Sequence, residues 1–377
     1  MKNKIVFCLL FAFLLVSCGT ASKNSDKEKN GFILIEENKT KGVKTLPLSE
    51  FIDDYRIVKF ENSDSAIFRA WKTVVSKNYV AIIQGGSQPV VLFDKTGKFI
   101  GNIGQIGQGP SEYIMAYDAL IDEKRNKIYI VELNSNHILE YDLEGNYLST
   151  KEVGNLNKPS LFLNDDGTVS VVSITFGDTD EPFTAAIVGD TVINKITYPY
   201  LVTNLRDQSG MVNGFDNEVW SYRNTANNSF MMTYNDTLFS FNPAEAAISP
   251  RAFLKEKSQK DPNSWYVGIE FPDAIAYNVI GPDGRTIWYD KETGEISKIN
   301  IINDYLGNAS ISTGNFRDGY FVQVWEPAQL IDMIEEKWLP QNELTDRQKE
   351  DLNKFLSELD PDGNNIMFLG RLKKNNY

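Results

Sequence analysis

The chain has 377 residues, 42% hydrophobic and 12% aromatic, and a formal net charge of −13. This composition excludes a disordered chain and provides apolar area for a large packed core. The acidic balance argues against nucleic acid as a partner, which needs a basic stripe, and against electrostatic adhesion to anionic lipid.

Met1-Lys-Asn-Lys4 is basic, and Ile5 to Val16 is an apolar run too short to cross a bilayer. Together they predict a signal peptide over residues 1–17. The run ends Leu15-Val16-Ser17-Cys18, which resembles the lipobox of bacterial lipoproteins. That resemblance implies cleavage before Cys18, diacylglycerol on its thiol and a further palmitate-type chain on its amine. Several chains are what stable anchoring requires. The expected location is the cell envelope, lipid-anchored to the outer membrane and facing the periplasm or the surface. Cys8 and Cys18 are the only cysteines, so burial alone must hold the domain together. Residues 18–45 predict a flexible tether, because Gly19 to Gly31 has no apolar side chain larger than alanine.

From residue 46 the chain repeats. An aromatic–Asp pair before a glycine turn occurs as Phe93-Asp94-Lys-Thr-Gly97, Tyr141-Asp142-Leu-Glu-Gly145 and Tyr289-Asp290-Lys-Glu-Thr-Gly294. Asp94 and Asp142 are 48 residues apart, and Asp142 and Asp290 are 148 apart, three such steps. Six short alternating β runs, centred on Val80, Tyr129, Ser170, Trp220, Val267 and Val322, have a mean spacing of about 48. Propeller blades repeat at roughly 40–50 residues. The spacing predicts an all-β fold, a six-bladed β-propeller over residues 46–377. A sandwich or barrel also has many short strands but no reason for a fixed interval. Tyr55 to Phe60 is expected to close the ring against Ile366 to Leu372, since a circular array must hide its end edges. A small helical insertion is expected in the last blade, at about residues 327–360. There Thr345 and Gln348 make a capping-box pair, and Leu352, Phe355, Leu356 and Leu359 form one apolar face.

Residues 90–150 resemble the NHL repeat of β-propellers. The likeness rests on Phe93-Asp94 to Phe99, on Gly101-Asn-Ile-Gly104-Gln-Ile-Gly107-Gln-Gly109-Pro110-Ser-Glu112-Tyr113, and on Ile128 to Val131 and Ile138 to Gly145. The chain is similar to the six-bladed propeller lipoproteins of Bacteroidota, in which such a glycine run recurs in the first blade. The resemblance implies an exported scaffold and supplies no catalytic residue set.

The sequence offers no catalytic constellation. His137 is the only histidine and stands beside a turn, so it reads as a surface residue rather than a general base. The glycine run lacks the Lys-Ser/Thr of a phosphate loop and reads as backbone crossing between blades. Asp360-Pro-Asp-Gly-Asn-Asn365 does not fit the spacing of a calcium loop and reads as a turn. Glu132, Glu270 and Glu326 each follow a β run and are weak candidates for Ca2+ ligands in a central channel. Trp71, Trp220, Trp265, Trp288 and Trp325 could stack a ligand or fill the core between blades. Ser65, Thr191 and Thr237 lie in Asp-Ser/Thr-aliphatic triplets that resemble bacterial O-glycosylation sequons. The leading expectation is a membrane-anchored binding or scaffold module for a protein or glycan ligand. The alternative is a metal-assisted hydrolase or lyase with a divalent cation in the channel.

Overall fold

The computed structural model describes residues 31–206, 210, 217–256, 261, 263–335 and 344–373. The signal peptide, Cys18 and the first part of the tether lie outside them. The described chain is a six-bladed β-propeller. Blades 1 and 2 are plain four-stranded meanders: Ala70–Val75, Tyr79–Gln84, Val90–Asp94 and Phe99–Ile103, then Ala116–Asp122, Lys127–Glu132, Asn134–Tyr141 and Tyr147–Asn157. Blade 3 runs from Ser160–Leu163 to Val192–Ile196, blade 4 from Val219–Ser221 to Ala247–Lys255, and blade 5 from Trp265–Glu270 to Ile296–Asn303. Blade 6 takes three strands from the end of the chain (Phe316–Arg317, Tyr320–Trp325, Ile366–Leu372) and its outer strand, Ile52–Lys59, from the beginning.

The core explains both the ring and the count. Buried side chains fall into six clusters, one at each junction between successive blades, including the junction of blade 6 with blade 1. Successive side chains of a strand point to opposite faces. Val74, Ala81 and Ile83 therefore pack toward blade 2, while Val75, Val80 and Ile82 pack toward blade 6. Strands buried on both faces read as near-continuous apolar runs, such as Tyr79-Val-Ala-Ile-Ile83.

The aromatic–Asp–Gly element is the turn between third and outer strands. Asp94 Oδ1 accepts from the Thr96 and Lys98 amides, and Asp142 Oδ1 from those of Glu144 and Asn146. The preceding aromatics, Phe93 and Tyr141, are fully buried. The glycines take left-handed φ, +92° at Gly97 and +89° at Gly145, and both touch the previous blade. A Cβ on Gly97 would meet the Lys59 carbonyl of blade 6, and one on Gly145 the Asn102 carbonyl of blade 1. The motif thus both turns a blade and docks it onto its neighbour.

Three features depart from the sequence reading. First, the spacing of about 48 residues holds, but two runs sit one strand early. Val80, Tyr129, Ser170 and Val322 are on second strands, whereas Trp220 and Val267 are on inner strands. The second strands of blades 4 and 5 are Ser229–Met232 and Ala274–Ile280. All of these strands are apolar, so pattern alone did not fix which was which. Second, the tether expected over residues 18–45 is already folded near its end. Ile33–Glu36 adds a fifth, parallel strand to blade 4, and Val43–Pro47 does the same for blade 5. Ile33 and Ile35 are buried there, and Glu37 receives a two-toothed bond from Arg285 of blade 5 at 2.6 and 3.0 Å. After a single helical turn, α1 (Leu48–Phe51), the same segment becomes the outer strand of blade 6. This N-terminal strap runs along three blades in succession. Third, the closing strand begins at Ile52, three residues earlier than expected, with a bulge between Asp53 and Arg56.

The insertion comprises α2 (Pro327–Glu335) and α3 (Asp346–Ser357), between the second and third strands of blade 6. Thr345 and Gln348 cap α3 reciprocally. Leu330, Ile334, Leu352 and Leu359 join the core between blades 5 and 6. Neither helix is long and apolar enough to cross a membrane, nor is any other among the described residues.

Candidate functional site

Six inner strands surround the propeller axis, and each presents one unpaired backbone edge to it. Polar side chains from other blades meet several of those edges. Arg223, just past the inner strand of blade 4, donates from Nη1 to Asp118 of blade 2 at 2.8 Å and to the Leu161 carbonyl of blade 3 at 3.2 Å. Its Nε donates to Asp318 of blade 6 at 2.6 Å. The second oxygen of Asp318 accepts from the Val75 amide of blade 1, and Asp118 accepts from the Leu161 amide. One guanidinium and two carboxylates therefore tie five blades across the axis. Arg223 and Asp318 both take left-handed φ, +51° and +53°, which for side chains of this size signals a constrained site. Burial works against the Arg223 charge, but Asp118 and Asp318 more than compensate and raise its pKa.

A second polar layer lies beside this plug. Lys72 of blade 1 donates to the Tyr117 carbonyl of blade 2 at 3.1 Å. Its ammonium sits 3.8 Å from the Tyr117 ring and 4.4 Å from the Trp71 ring. The Tyr117 hydroxyl donates to Glu218 of blade 4, which also pairs with Lys158 at 2.7 Å. Arg317 of blade 6 donates to the Thr73 carbonyl at 3.3 Å, and its guanidinium carbon lies 5.8 Å from the Tyr222 ring. Blades 1 and 2 meeting blade 4 in this way requires that these groups lie on the axis. Burial, opposed by Asp118 and aided by Arg317, pushes the Lys72 ammonium down to about 8. Burial and then Glu218 raise the Tyr117 hydroxyl. No carboxylate forms an ion pair with Lys72 or Arg317 among the described residues.

The residues singled out from sequence do not converge here. Glu132 accepts from the Ile114 amide at 2.7 Å and lies 3.9 Å from His137, whose other ring nitrogen meets Asn136. Glu270 is buried between blades 4 and 5, where Arg251, Lys291, Ser229 and Asn227 all reach it. Glu326 is exposed and meets Gln329 on α2. The three acids lie on different blades, each with its own partners. No three His, Cys, Asp or Glu side chains are grouped to hold a metal ion among the described residues. Ser65 and Thr191 are exposed in turns, and Thr237 is half-buried at the start of a strand. Of the tryptophans, Trp288 is core, Trp220 and Trp325 pack against it, and Trp71 and Trp265 are about two-fifths exposed. Among the described tryptophans, only Trp71 contacts the polar layer on the axis.

The glycine run is structural. Tyr113 donates to the Ile103 carbonyl and accepts from the Val90 amide. Glu112 accepts from the Gly109 amide and fills the space a Cβ on Gly107 would need. Asn364 and Asn365, in the turn after α3, clamp the backbone of Glu61, Ala66 and Phe68 where blade 6 passes into blade 1.

A cavity of about 250 Å3 lies off the axis, between blade 5 and the strap, floored by Phe51, Phe271 and Trp288. Its cations are engaged within the fold: Lys44 pairs with Glu295, and Lys373 donates to the Ser49 carbonyl at 2.7 Å. The axial layer, with two cations lacking carboxylate partners, is the better candidate for a site.

Comparison with known proteins adds the following. The family described as a domain of unknown function, DUF4934, matches residues 32–371. No curated protein matches the chain. A Bacteroides fragilis protein described as exported is similar in structure, with a TM-score of 0.61 at 16% identity over 91% of this chain and 100% of that one. A Bacteroides vulgatus member of the DUF4221 family aligns at a TM-score of 0.47 and 12% identity over 86% of this chain and 98% of that one. The first likeness, at 16% identity, speaks to the fold alone.

Proposed function

The chain belongs to the DUF4934 family, and from that premise we propose that it is a lipid-anchored binding propeller of the cell envelope that takes its ligand at the axis, beside Trp71, Lys72, Tyr117 and Arg317. The observation that carries this reading is the axial layer. Charged and aromatic groups from blades 1, 2, 4 and 6 converge there, and two of the cations have no carboxylate of their own. Propellers present convergent loops around one axis, which suits recognition. The layer's groups are an ammonium, a guanidinium, a phenol and a carboxylate beside an indole, which suit ion pairing and ring contact. The reading therefore stays with binding, and the ligand is a small molecule or one residue of a protein or glycan.

The anchor rests on Cys18 and the apolar run before it. Acyl chains at that position, rather than surface charge, would hold a protein of net charge −13 at a bilayer. Two measurements test the proposal. In detergent phase partitioning the native protein should enter the detergent phase and Cys18→Ser should stay in water. If both forms stay aqueous, the anchor is wrong. Ligand screening by thermal shift should give hits that Trp71→Ala abolishes. Hits indifferent to that change would move the site off the axis.

A further inference from the structure

Resting on the axial reading, we infer that the ligand carries a single carboxylate, seated between Lys72 and Arg317, with its carbon skeleton against the face of Trp71. The axis holds four cations among the described residues, Lys72, Lys158, Arg223 and Arg317, and three carboxylates, Asp118, Glu218 and Asp318. The carboxylates are committed: two to Arg223 and one to Lys158 and Tyr117. Lys72 and Arg317 make only carbonyl hydrogen bonds and ring contacts, and they are near neighbours, since Arg317 binds the carbonyl of the residue after Lys72. In a chain of net charge −13, two adjacent, partly buried cations that form no ion pair among the described residues call for an anion from outside.

The same count selects the kind of anion. One negative charge neutralises the layer. A phosphate dianion would overshoot it and face the three resident carboxylates. A guanidinium fork also matches a carboxylate in two-toothed geometry. Trp71, two-fifths exposed, has its ring tilted against Tyr117 with centroids 5.3 Å apart and 4.4 Å from the Lys72 ammonium, and offers an apolar surface beside that cation. A ring-bearing acid can use both features at once; a short aliphatic acid uses only the first. Lys72 supplies a pH signature. Burial, with Arg317 and Arg223 opposing Asp118 and Glu218, leaves it titrating near 8. A bound carboxylate favours its protonated form, so affinity should fall as pH rises through that value.

The test is calorimetric titration of the full-length protein in detergent with glucuronate, cyclohexanecarboxylate, acetate, inorganic phosphate and glucose. The ring acids should bind, with proton uptake near pH 8. Acetate, phosphate and glucose should bind at least about tenfold more weakly, the worth of one charge-assisted bond or ring contact. Lys72→Met and Arg317→Gln should each cost about tenfold or more in affinity for the ring acids, and Lys72→Arg should retain most of it while losing the pH dependence near 8. Melting curves check that each variant is folded. Phosphate binding as tightly as the acids, or failure of every acid at millimolar concentration, overturns the inference. Glucose binding that Trp71→Ala abolishes would overturn the carboxylate while leaving the axial site standing. Acid binding that survives both Lys72→Met and Arg317→Gln would overturn both.

Discussion

Blade 2 and blade 4 reach the same architecture by different means. Blade 2 is one uninterrupted meander, Ala116 to Asn157, with an Asp142–Gly145 turn and a long outer strand whose edge is open; Leu148 on it is exposed. Blade 4 begins with an inner strand of only three residues, Val219–Ser221. Its outer turn has Asn242 where blade 2 has Asp142, and Ala246 at φ +47° instead of a glycine. Its outer strand carries Pro250 and is covered by Ile33–Glu36. Blade 2 is specified by local turn chemistry. Blade 4 is specified by burial, with Phe230, Met231 and Phe241 in the core, and by a strand borrowed from the far end of the chain.

That contrast can be broken experimentally. Ile35→Asp places an unpaired charge in the core between blades 4 and 5 and should cost about 5 kcal/mol, read from denaturant midpoints. Leu148→Asp, on the open edge of blade 2, should stay within about 0.5 kcal/mol. Equal costs would mean that the strap is not integral to blade 4. Arg223→Ala, which leaves Asp118 and Asp318 buried without their cation, should cost about 3–5 kcal/mol. A near-neutral result would show that water replaces the plug.

Gly145→Ala forces a Cβ to within 2.5 Å of the Asn102 carbonyl at positive φ, and should lose about 2–3 kcal/mol by thermal melting. Lys72→Met should gain about 1–2 kcal/mol at pH 7. The sign follows from linkage. Lys72 titrates near 8 in the folded chain against an ordinary 10.5, so the unfolded chain holds the extra proton between those values. Wild-type stability from this group therefore rises across that window, and the advantage of the methionine should vanish above it. The smallest effect sharpens the comparison from the other side. Ala246→Gly, relieving a left-handed alanine in the turn of blade 4, should stabilise by about 0.5 kcal/mol in the same melts.

The same contrast explains what could be read from sequence. The six-fold count was legible because burial on both faces writes an apolar run into every blade. Turn chemistry was legible in blades 1, 2 and 5, where Asp94, Asp142 and Asp290 each accept local amides. Blade 4 lacks that signal, and the runs at Trp220 and Val267 fall on inner strands because inner and second strands are equally apolar in blades 4 and 5. The strap was missed because Ile33–Glu36 and Val43–Pro47 make their contacts with residues more than two hundred positions away, and a lone edge strand has no pattern of its own. The axial layer was invisible for a related reason. Lys72, Tyr117, Glu218 and Arg317 are single residues on separate blades, and only ring closure brings them together. The one local hint was Arg317-Asp318-Gly319, which reads as a turn and is one, with Asp318 also at the axis.

The closing strand bears on how the protein comes into being. Lys59 pairs with Ile366 and Ile52 with Leu372, so a strand made early waits for almost the last one. Until then, Met367 and Leu369 are missing from the cluster in which Val58, Phe60 and one face of the first blade pack. Contact order is high, and such pairing is slow and prone to association while incomplete. The ring therefore closes only when the last strand is in place, whatever order the individual blades form in.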